Sequence, residues 1–463
     1  MARLLRTALI LLPFLAPALP AQDWEVFLNG DLAKVKEELK KMPAETGIDT
    51  QDEAGSTALT LAAQFNPHPA VVRHLLEAGA DPLLSDQDGA DALMSAASGQ
   101  TNLEVFDALL AAGAELEARD YQGWTPLMYA ANLQEDSKVL AYLLQKGAQV
   151  SALDKEGKSA LMIAAAWNPN PTILTHLIKA GASMDTVDEY LGWNSFFWSA
   201  AQNPNPDVLQ LFLAAGASVD EIDDLDESVL MVAAGFNPSM AMHRFLLEQG
   251  ADPNYVNEEG ITVLMNAASN ENPEVGLLYL AQGNNPLAAD AYGLTALMIA
   301  SESQTDARLV EALLGAGAKP SVKDDDGWTA LHFAEEGAVV KALLDAGAQV
   351  NALTADGATP LMIAVFETEG VFEVGAIRQL LGAGAALEVQ DSLGNTALHI
   401  AVSCGHIQAV RLLLDAGADP TALTKNGSSV LEMVGRYDDT NDAEMTALLT
   451  AALAQAAKAK QGE

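Results

Sequence analysis

Cysteine is nearly absent from this sequence, in which Cys404 is the single example. One cysteine cannot form an intramolecular disulfide, so the fold is not one of the small secreted scaffolds that cross-links hold together. Its stability must come from the packing of apolar side chains. No basic residues cluster around Cys404 in the sequence, so we expect a packing or neutral role for it rather than a reactive thiol.

Basic residues are also scarce, with 24 lysines and arginines against 63 aspartates and glutamates and a formal net charge of −39. We therefore expect no nucleic-acid ligand, because its phosphates require lysine and arginine contacts. An anionic membrane surface is unfavourable for the same reason. Two interpretations of the acidity remain open: it keeps an alanine- and leucine-rich protein in solution, or it attracts a basic protein partner.

Catalytic and cofactor motifs are missing as well. The sequence contains no glycine-rich phosphate loop, no Gly-x-Ser-x-Gly elbow and no calcium loop with correctly spaced oxygen ligands. The histidines do not stand at metal-ligand spacing from a cysteine or a second histidine; they are His68, His74, His176, His243, His332, His399 and His406. We therefore predict no catalytic residue, no metal and no cofactor.

Residues 1–21 have the layout of a secretory signal peptide. Arg3 and Arg6 precede an apolar run over residues 8–15, and a stretch of small residues ends at Ala21. The run is too short to span a bilayer. We expect cleavage after Ala21 and a periplasmic or secreted protein without membrane insertion after cleavage; a retained anchor is the alternative.

The stretch KEGKSALMIAAAWNPNPTILTHLIKAGASMD, residues 155–185, predicts two short helices, a turn between them and a glycine stop. Ser159 and Asn170 suit the N-cap positions of the two helices. Pro171 suits a first helical position, because its φ is already helical and its missing N–H would have no partner there. Gly181 follows the second helix, where the chain enters the left-handed region. Two helices this short cannot bury their apolar residues alone, so the unit must stack on copies of itself.

Copies of this unit follow one another along the chain at a spacing close to 34 residues. The marker is Gly157, and its equivalents are Gly55, Gly89, Gly123, Gly192, Asp226, Gly260, Gly293, Gly327, Gly357, Gly394 and Gly427. The period and the signature residues that follow the marker are those of a known repeat. The best examples of the signature are Thr125, Pro126, Leu127 and Ala130 in one repeat, and Thr329, Leu331, His332 and Ala334 in another.

By these residues the chain resembles the ankyrin-repeat family, and in particular its exported bacterial members, over roughly residues 23–453. The resemblance implies an all-α fold with short β-hairpin tips, an ankyrin-repeat solenoid of about twelve helix-pair repeats plus an N-terminal capping pair. Residues 22–54 would form the N-terminal capping helix pair and residues 55–426 the repeat array. Residues 427–463 would form the C-terminal capping repeat and tail.

Seven repeats have methionine where the signature has histidine: Met94, Met128, Met162, Met231, Met265, Met298 and Met362. In the family, that histidine is associated with hydrogen bonds between neighbouring hairpins and helices. Methionine cannot donate such a bond, so we expect these side chains to fill space between repeats. Asn-Pro pairs such as Asn168-Pro169 recur between the paired helices and are expected to be structural. The repeat after Gly327 is short, and extra turn residues are expected from Phe366 to Gly375.

Ankyrin proteins usually bind partners in the groove between hairpin tips and first helices, so the variable residues there are candidate contacts. Aromatic residues gather at these places although only 6% of the chain is aromatic, and acidic tip residues alternate with them. Aromatic anchors rimmed by charge are typical of protein interfaces. The predicted protein-binding residues are Phe65, Asp120, Tyr121, Trp124, Asp154, Lys158, Trp167, Asp188, Tyr190, Trp193, Phe236, Tyr292 and Trp328.

The alternative interpretation is structural: a tryptophan after the marker glycine packs on the neighbouring hairpin tip and contacts no partner. Trp198 is expected to face the second helix of its repeat, within the core. The resemblance thus implies a non-catalytic, exported protein-binding module whose concave face binds a basic protein partner. The alternative function is an architectural scaffold or spacer for cell-envelope components. No oligomeric state follows from the repeats.

Overall fold

A computed structural model describes residues 24–41, 47–366, 374–435 and 442–461. The predicted signal peptide, residues 1–21, lies outside the described residues, as do residues 367–373 of the expected insertion. The chain divides into two compact units. Unit 1 contains the residues up to Ser199 together with Asn205–Ala217, and unit 2 contains Ala200–Pro204 together with Ser218–Glu463.

The described elements are helices, most of them arranged as consecutive pairs. Two short 3₁₀ turns, Gly47–Asp49 and Val430–Met433, accompany them. The helices are α1 Glu25–Asn29, α2 Leu32–Leu39, α3 Ala58–Phe65, α4 Pro69–Glu77, α5 Ala92–Gly99, α6 Leu103–Ala111, α7 Pro126–Leu133, α8 Lys138–Gln145, α9 Ala160–Trp167, α10 Pro171–Lys179, α11 Ser195–Gln202, α12 Pro206–Ala215, α13 Val229–Phe236, α14 Met240–Glu248, α15 Val263–Ala268, α16 Pro273–Ala281, α17 Ala296–Ser303, α18 Arg308–Gly315, α19 Ala330–Phe333, α20 Gly337–Asp345, α21 Pro360–Phe366, α22 Gly375–Gly382, α23 Ala397–Ser403, α24 Ile407–Asp415 and α25 Asp442–Gln461.

The pair α9 and α10 begins and ends as the sequence predicts. The Ser159 hydroxyl accepts a 3.3 Å hydrogen bond from the Met162 N–H at the start of α9. The Asn170 side chain accepts a 2.9 Å bond from the Thr172 N–H, with proline at the first position of α10. Gly181 has a φ of +94°. The predicted caps and glycine stop are confirmed.

Hairpin turns connect one helix pair to the next and stack on each other. The turn around Gly157 is closed by an isolated bridge between Leu153 and Ser159. Its glycine has a φ of +79°, and a Cβ there would meet the Glu189 nitrogen of the next hairpin at 2.9 Å. In the part of the chain that the structure describes, Asp226 is the one non-glycine residue with positive φ, at +58°. Its identification as the marker of its repeat is confirmed.

First helices pack on first helices and second helices on second helices within each unit. In unit 1, α7 contacts α9 and α8 contacts α10; in unit 2, α15 contacts α17 and α16 contacts α18. The buried residues between them are mainly alanine, leucine, valine and isoleucine, with a few aromatic residues and the seven signature methionines. The apolar stripes that one pair cannot bury are thus covered by the neighbouring pairs.

The signature methionines are buried and fill space as predicted, and Met128, Met162 and Met362 in addition lie against the N–H of the residue that caps their helix. The N–H groups of Ser159 and Thr125 approach the sulfur atoms of Met162 and Met128 at 3.5 and 3.4 Å. The cap N–H would otherwise be buried without an acceptor, because the helix provides none for it. A thioether is a weak acceptor, but it occupies the position that a polar side chain takes in other repeats.

The two ends of the array differ from its interior. The pair α1 and α2 lies where an N-terminal capping pair is predicted, with the Asp31 carboxylate capping α2. The repeat after Gly327 is short, as expected, because α19 contains only four residues. At the C-terminal end the 3₁₀ turn Val430–Met433 replaces a first helix, and α25 follows it.

Candidate functional site

Three consecutive hairpins of unit 1 carry most of the predicted contact residues, and each is closed by an aspartate. The Asp154 Oδ1 accepts hydrogen bonds from the N–H groups of Glu156 and Lys158 at 2.9 and 2.8 Å. Asp120 holds its own turn in the same way, and Asp188 accepts from two N–H groups of its turn at 2.8 and 2.7 Å. These carboxylates therefore set the shape of the tips.

The second oxygen of each carboxylate accepts a hydrogen bond from an aromatic side chain. The Tyr129 hydroxyl donates to Asp120 at 2.8 Å, the Trp124 indole donates to Asp154 at 3.1 Å, and the Trp198 indole donates to Asp188 at 2.9 Å. Burial raises the pKa of the Asp154 carboxyl. The tips thus combine aromatic rings with partly buried negative charge.

A cluster of indole rings lies between the second and third of these hairpins. The Trp198 ring centroid is 5.9 Å from that of Trp167 and 5.3 Å from that of Trp193. Above it, the Lys158 Nζ lies 4.5 Å from the Trp198 ring and 5.5 Å from the Trp167 ring. The same ammonium donates to the Glu156 carboxylate at 2.7 Å. We call the three rings of Trp167, Trp193 and Trp198 the indole box, and the Lys158 ammonium occupies it.

The predicted residues divide into three groups by exposure. The exposed ones are Phe65, Tyr121, Tyr190, Phe236 and Tyr292. The half-buried ones are Trp124, Asp154, Lys158, Trp167 and Trp328. Asp120, Asp188 and Trp193 are buried, with exposed fractions of 8%, 2% and 3%. As direct contact residues these three are a wrong prediction, because the carboxylates bond their own turns and the Trp193 ring packs against Trp198 and Phe197.

Not all predicted residues come together. Tyr121, Trp124, Asp154, Lys158, Trp167 and Tyr190 lie on the hairpins and helix ends of residues 120–198, which we call the hairpin face of unit 1. Phe65 lies at the end of α3, two repeats earlier. Phe236, Tyr292 and Trp328 belong to unit 2, where Trp328 packs on His332 and Phe333 at centroid distances of 5.8 and 5.1 Å.

Trp198 is buried, as predicted, with an exposed fraction of 7%, but its role differs from the prediction. Its ring contacts are with Trp167 and Trp193, and its indole N–H holds Asp188; the ring that packs toward α12 is Phe196, 6.2 Å from Phe212. Trp198 follows the signature position, as Tyr129 does in an earlier repeat. In both repeats an aromatic residue with a hydrogen-bond donor stands at this position and bonds the aspartate of its own hairpin. That recurrence in the sequence could have identified the role of Trp198.

Sequence reasoning also missed a row of exposed apolar residues on the hairpins. Leu153 and Val187 in unit 1 are 38% and 49% exposed, beside Tyr190 at 75%. The hairpins of unit 2 carry the same feature at Ile222, Leu225, Val256, Leu287, Leu353, Leu393 and Leu423. Their recurrence a few residues before the marker glycine was visible in the sequence. Exposed apolar side chains on tips add to the surface available to a partner.

The described parts of the chain offer little other chemistry. Residues 24–41, 47–366, 374–435 and 442–461 contain no group of three histidine, cysteine, aspartate or glutamate side chains placed to hold a metal ion. Within these same ranges, no helix has the length and apolar character needed to cross a membrane. Burial raises the pKa of the Cys404 thiol, which lowers its reactivity.

Comparison with known proteins agrees with the repeat structure. The family profile described as "Ankyrin repeats (3 copies)" matches residues 26–120, 100–188, 161–256, 196–283, 230–323 and 297–374, and "Ankyrin repeats (many copies)" matches residues 380–434. The chain belongs to the ankyrin-repeat family. Its fold is an all-α ankyrin-repeat solenoid, and ankyrin repeats are generally non-enzymatic modules for protein interaction.

Individual relatives resemble parts of this ankyrin-repeat chain. Human ankyrin repeat domain-containing protein 63 is 37% identical over 21% of the chain and 30% of its own length. Human palmitoyltransferase ZDHHC13 is 34% identical over 41% of the chain and 30% of its own length. The mouse B-cell lymphoma 3 protein homolog is 30% identical over 32% of the chain and 34% of its own length. The matches therefore span about a third of these relatives.

Proposed function

We propose that this protein is a non-catalytic binding module whose hairpin face of unit 1 binds a basic protein partner. The observation that supports the proposal most directly is the arrangement of that face. Tyr121 and Tyr190 are exposed on it, Trp124 and Trp167 are half-buried in it, and the Trp124 indole N–H donates to the Asp154 carboxylate. Rigid aromatic side chains supply contact area at low entropic cost, and fixed negative charge favours a cationic partner.

The charge of the whole chain supports the same partner. A formal net charge of −39 gives a field that draws basic proteins and repels acidic ones. Because exposed charges are screened over about 8 Å at physiological ionic strength, capture of such a partner should weaken steeply as salt rises. We further propose an exported, periplasmic or secreted protein, supported by the signal-peptide layout of residues 1–21. A full-length protein found only in the cytosolic fraction would contradict the export.

Partner capture from the exported fraction tests the binding surface. The test variant changes Tyr121 and Tyr190 to Ser and Trp167 to Ala, all on the hairpin face. The matched control changes Gln145, Lys179 and Glu248 to Ser, all exposed on second helices. We expect the test variant to lose the salt-sensitive partner and the control to keep it, with unchanged circular dichroism in both.

The same experiment separates this function from an architectural role. If the hairpin-face variant retains its partner while deletion of α1 and α2 abolishes capture, the terminal pair is the contact and the module is a scaffold or spacer. Lys34, Lys36 and Lys40 are exposed on or beside α2 and would provide that contact. Capture that is insensitive to salt would exclude attraction to a basic partner.

A further inference from the structure

Lys158 occupies an unusual place for a lysine. Its side chain is only 13% exposed, whereas its ion-pair partner Glu156 is 58% exposed. Lysines normally extend a charged end group into water, because removing an ammonium from water is costly. Here the Nζ lies within 6 Å of two indole rings, which is the distance at which a ring face attracts a cation.

The indole box is built to favour a cation independently of Lys158. Trp198 is fixed by its hydrogen bond to Asp188 and by its packing on Trp193. The ring of Trp167, at the end of α9, lies 5.9 Å from that of Trp198 at an interplanar angle of 46°. The two rings can therefore both contact the same cation. Asp154 adds negative charge at the base of the Lys158 hairpin, where its Oδ1 accepts the Lys158 N–H at 2.8 Å.

Lys158 can leave this place without breaking the hairpin. The hairpin turn is held by the hydrogen bond from the Lys158 backbone N–H to the Asp154 carboxylate, and the Lys158 side chain takes no part in this bond. The ammonium is paired with an exposed carboxylate, and Trp167 is half-buried, so the box opens to solvent at its rim. The long stem of a lysine lets its ammonium reach water while the stem stays on the apolar surface.

We propose that the indole box is a subsite for a lysine ammonium of the partner, and that Lys158 occupies it until the partner displaces it. This inference rests on the proposed function, since it names the chemistry that the hairpin face takes. The ammonium seen in the box shows which ligand the rings and carboxylates suit. On displacement the Lys158 ammonium moves into solvent together with its exposed partner Glu156, so its charge stays paired while the partner's lysine fills the box.

Titration with n-butylammonium chloride tests the subsite without any protein partner. The indole N–H resonances of the full chain, labelled on tryptophan, are followed in the wild type and in Lys158→Ala, against sodium chloride of equal ionic strength. Removing the internal competitor should tighten butylammonium binding on the order of tenfold, a gain within the strength of a cation–π contact. The shifts should fall on Trp167 and Trp198, assigned through the single changes Trp167→Phe and Trp198→Phe.

Lys155→Ala is the matched control, because Lys155 is exposed in the same hairpin and its removal changes the net charge equally. It should bind butylammonium no better than the wild type. Neutral n-butanol should not reproduce the shifts of Lys158→Ala; if it does, the vacated space is an apolar cavity and the proposal is wrong. Lys158→Gln, which keeps side-chain length, gives a second test should alanine disturb the fold.

Absence of a saturable gain in both Lys158 variants would overturn the subsite while leaving the proposed function intact, because the hairpin face could bind through its tyrosines. A second outcome would also contradict the proposal: butylammonium binding tightens in both Lys158 variants, but the hairpin-face variant still captures its partner. The indole box would then bind cations without taking part in partner recognition.

Discussion

The third residue of several first helices accepts a hydrogen bond from the backbone N–H of the residue that caps the helix. Different side chains do this: the Thr60 hydroxyl at 2.8 Å, the Met162 sulfur at 3.5 Å, the His332 Nδ1 at 3.0 Å and the Glu432 carboxylate at 2.8 Å. In these four repeats the place provides an acceptor for the cap N–H, and side chains of different types supply it. Histidine adds a second bond, because the His332 Nε2–H donates to the Ala352 carbonyl at 3.2 Å.

His332→Met should cost stability at neutral pH and less in acid. Burial lowers the pKa of His332 to about 4, so the unfolded chain binds the proton more readily than the folded one. The stability that neutral His332 contributes is present above the unfolded pKa, about 6.5, and is lost as the pH falls toward about 4. We expect a deficit of about 1 kcal/mol at pH 7.5 from the lost bond to Ala352.

Urea unfolding of wild type and His332→Met at pH 7.5 and pH 5 measures the difference. The stability deficit of His332→Met should vanish or reverse at pH 5, because unfolding of the wild type then takes up a proton at His332 while methionine does not titrate. Other buried histidines, such as His243, affect both proteins equally and cancel in the comparison. An equal deficit at both values would mean that His332 is not held neutral by burial.

Gly181→Val should destabilise by about 1 kcal/mol or more. Nothing lies within 4 Å of an added Cβ at Gly181, so the cost comes from its φ of +94° rather than from a clash. Gly315→Ala is the control, because its added Cβ is equally unhindered and the residue is helical. That change should leave the melting temperature equal or raise it. Equal melting of Gly181→Val and wild type would refute the argument from φ.

At the scale of elements, side-chain amides at the ends of many first helices join a repeat to the one before it. The Asn168 Nδ2 donates to the carbonyls of Ala131 and Gln134, each at 2.9 Å. Gln134 bonds the preceding repeat likewise. In unit 2, Asn237, Asn270 and Gln304 continue the pattern within that unit. These amides satisfy carbonyls that a helix end leaves without partners.

Asn168→Ala should lower the free energy of unfolding by about 2 kcal/mol, since two buried carbonyls lose their donor. Asn168→Gln should cost less, because glutamine makes the same pair of bonds at Gln134 in the neighbouring repeat. Denaturant unfolding of both variants gives the comparison. Identical losses would show that the position is sensitive to side-chain volume rather than to the amide donor.

At the scale of the whole molecule, charge of one sign dominates. The ion pairs that the structure describes, such as Arg73 with Glu104 and Arg411 with Glu444, are largely exposed. Exposed pairs contribute little to stability. The net charge of −39 is therefore largely uncompensated, and its self-repulsion opposes the compact state.

Adding salt should therefore stabilise the folded protein. Raising sodium chloride from about 10 to 200 mM shortens the screening length from about 30 Å to below 10 Å, and we expect the melting temperature to rise by a few degrees. Potassium chloride should act equally, because screening depends on ionic strength. Melting followed by circular dichroism gives the answer, and a fall in melting temperature would show that attractive pairs outweigh repulsion.

The local features were predictable because each is decided within a few residues. Ser159, Asn170 and Pro171 start helices through their own side chains, and Gly181 ends one through its own φ. The acceptor role of Met162 was not predictable from composition, since methionine is usually an apolar filler. The interrepeat role of Asn168 was also missed, because its acceptors lie 37 and 34 residues earlier in the chain.

By itself, the sequence determined the repeat, its period, the caps, the glycine stops and the acidity, because these depend on local backbone preferences and on counts of residues. The tertiary structure decided which side chains face solvent and which meet. For example, Lys158 and Trp167 belong to one repeat and Trp198 to the next. Only the stacking of these repeats places both indole rings beside the Lys158 ammonium. It also turned Asp188 and Trp193 inward, because a carboxylate bonds the nearest buried donors and an indole packs on the neighbouring ring.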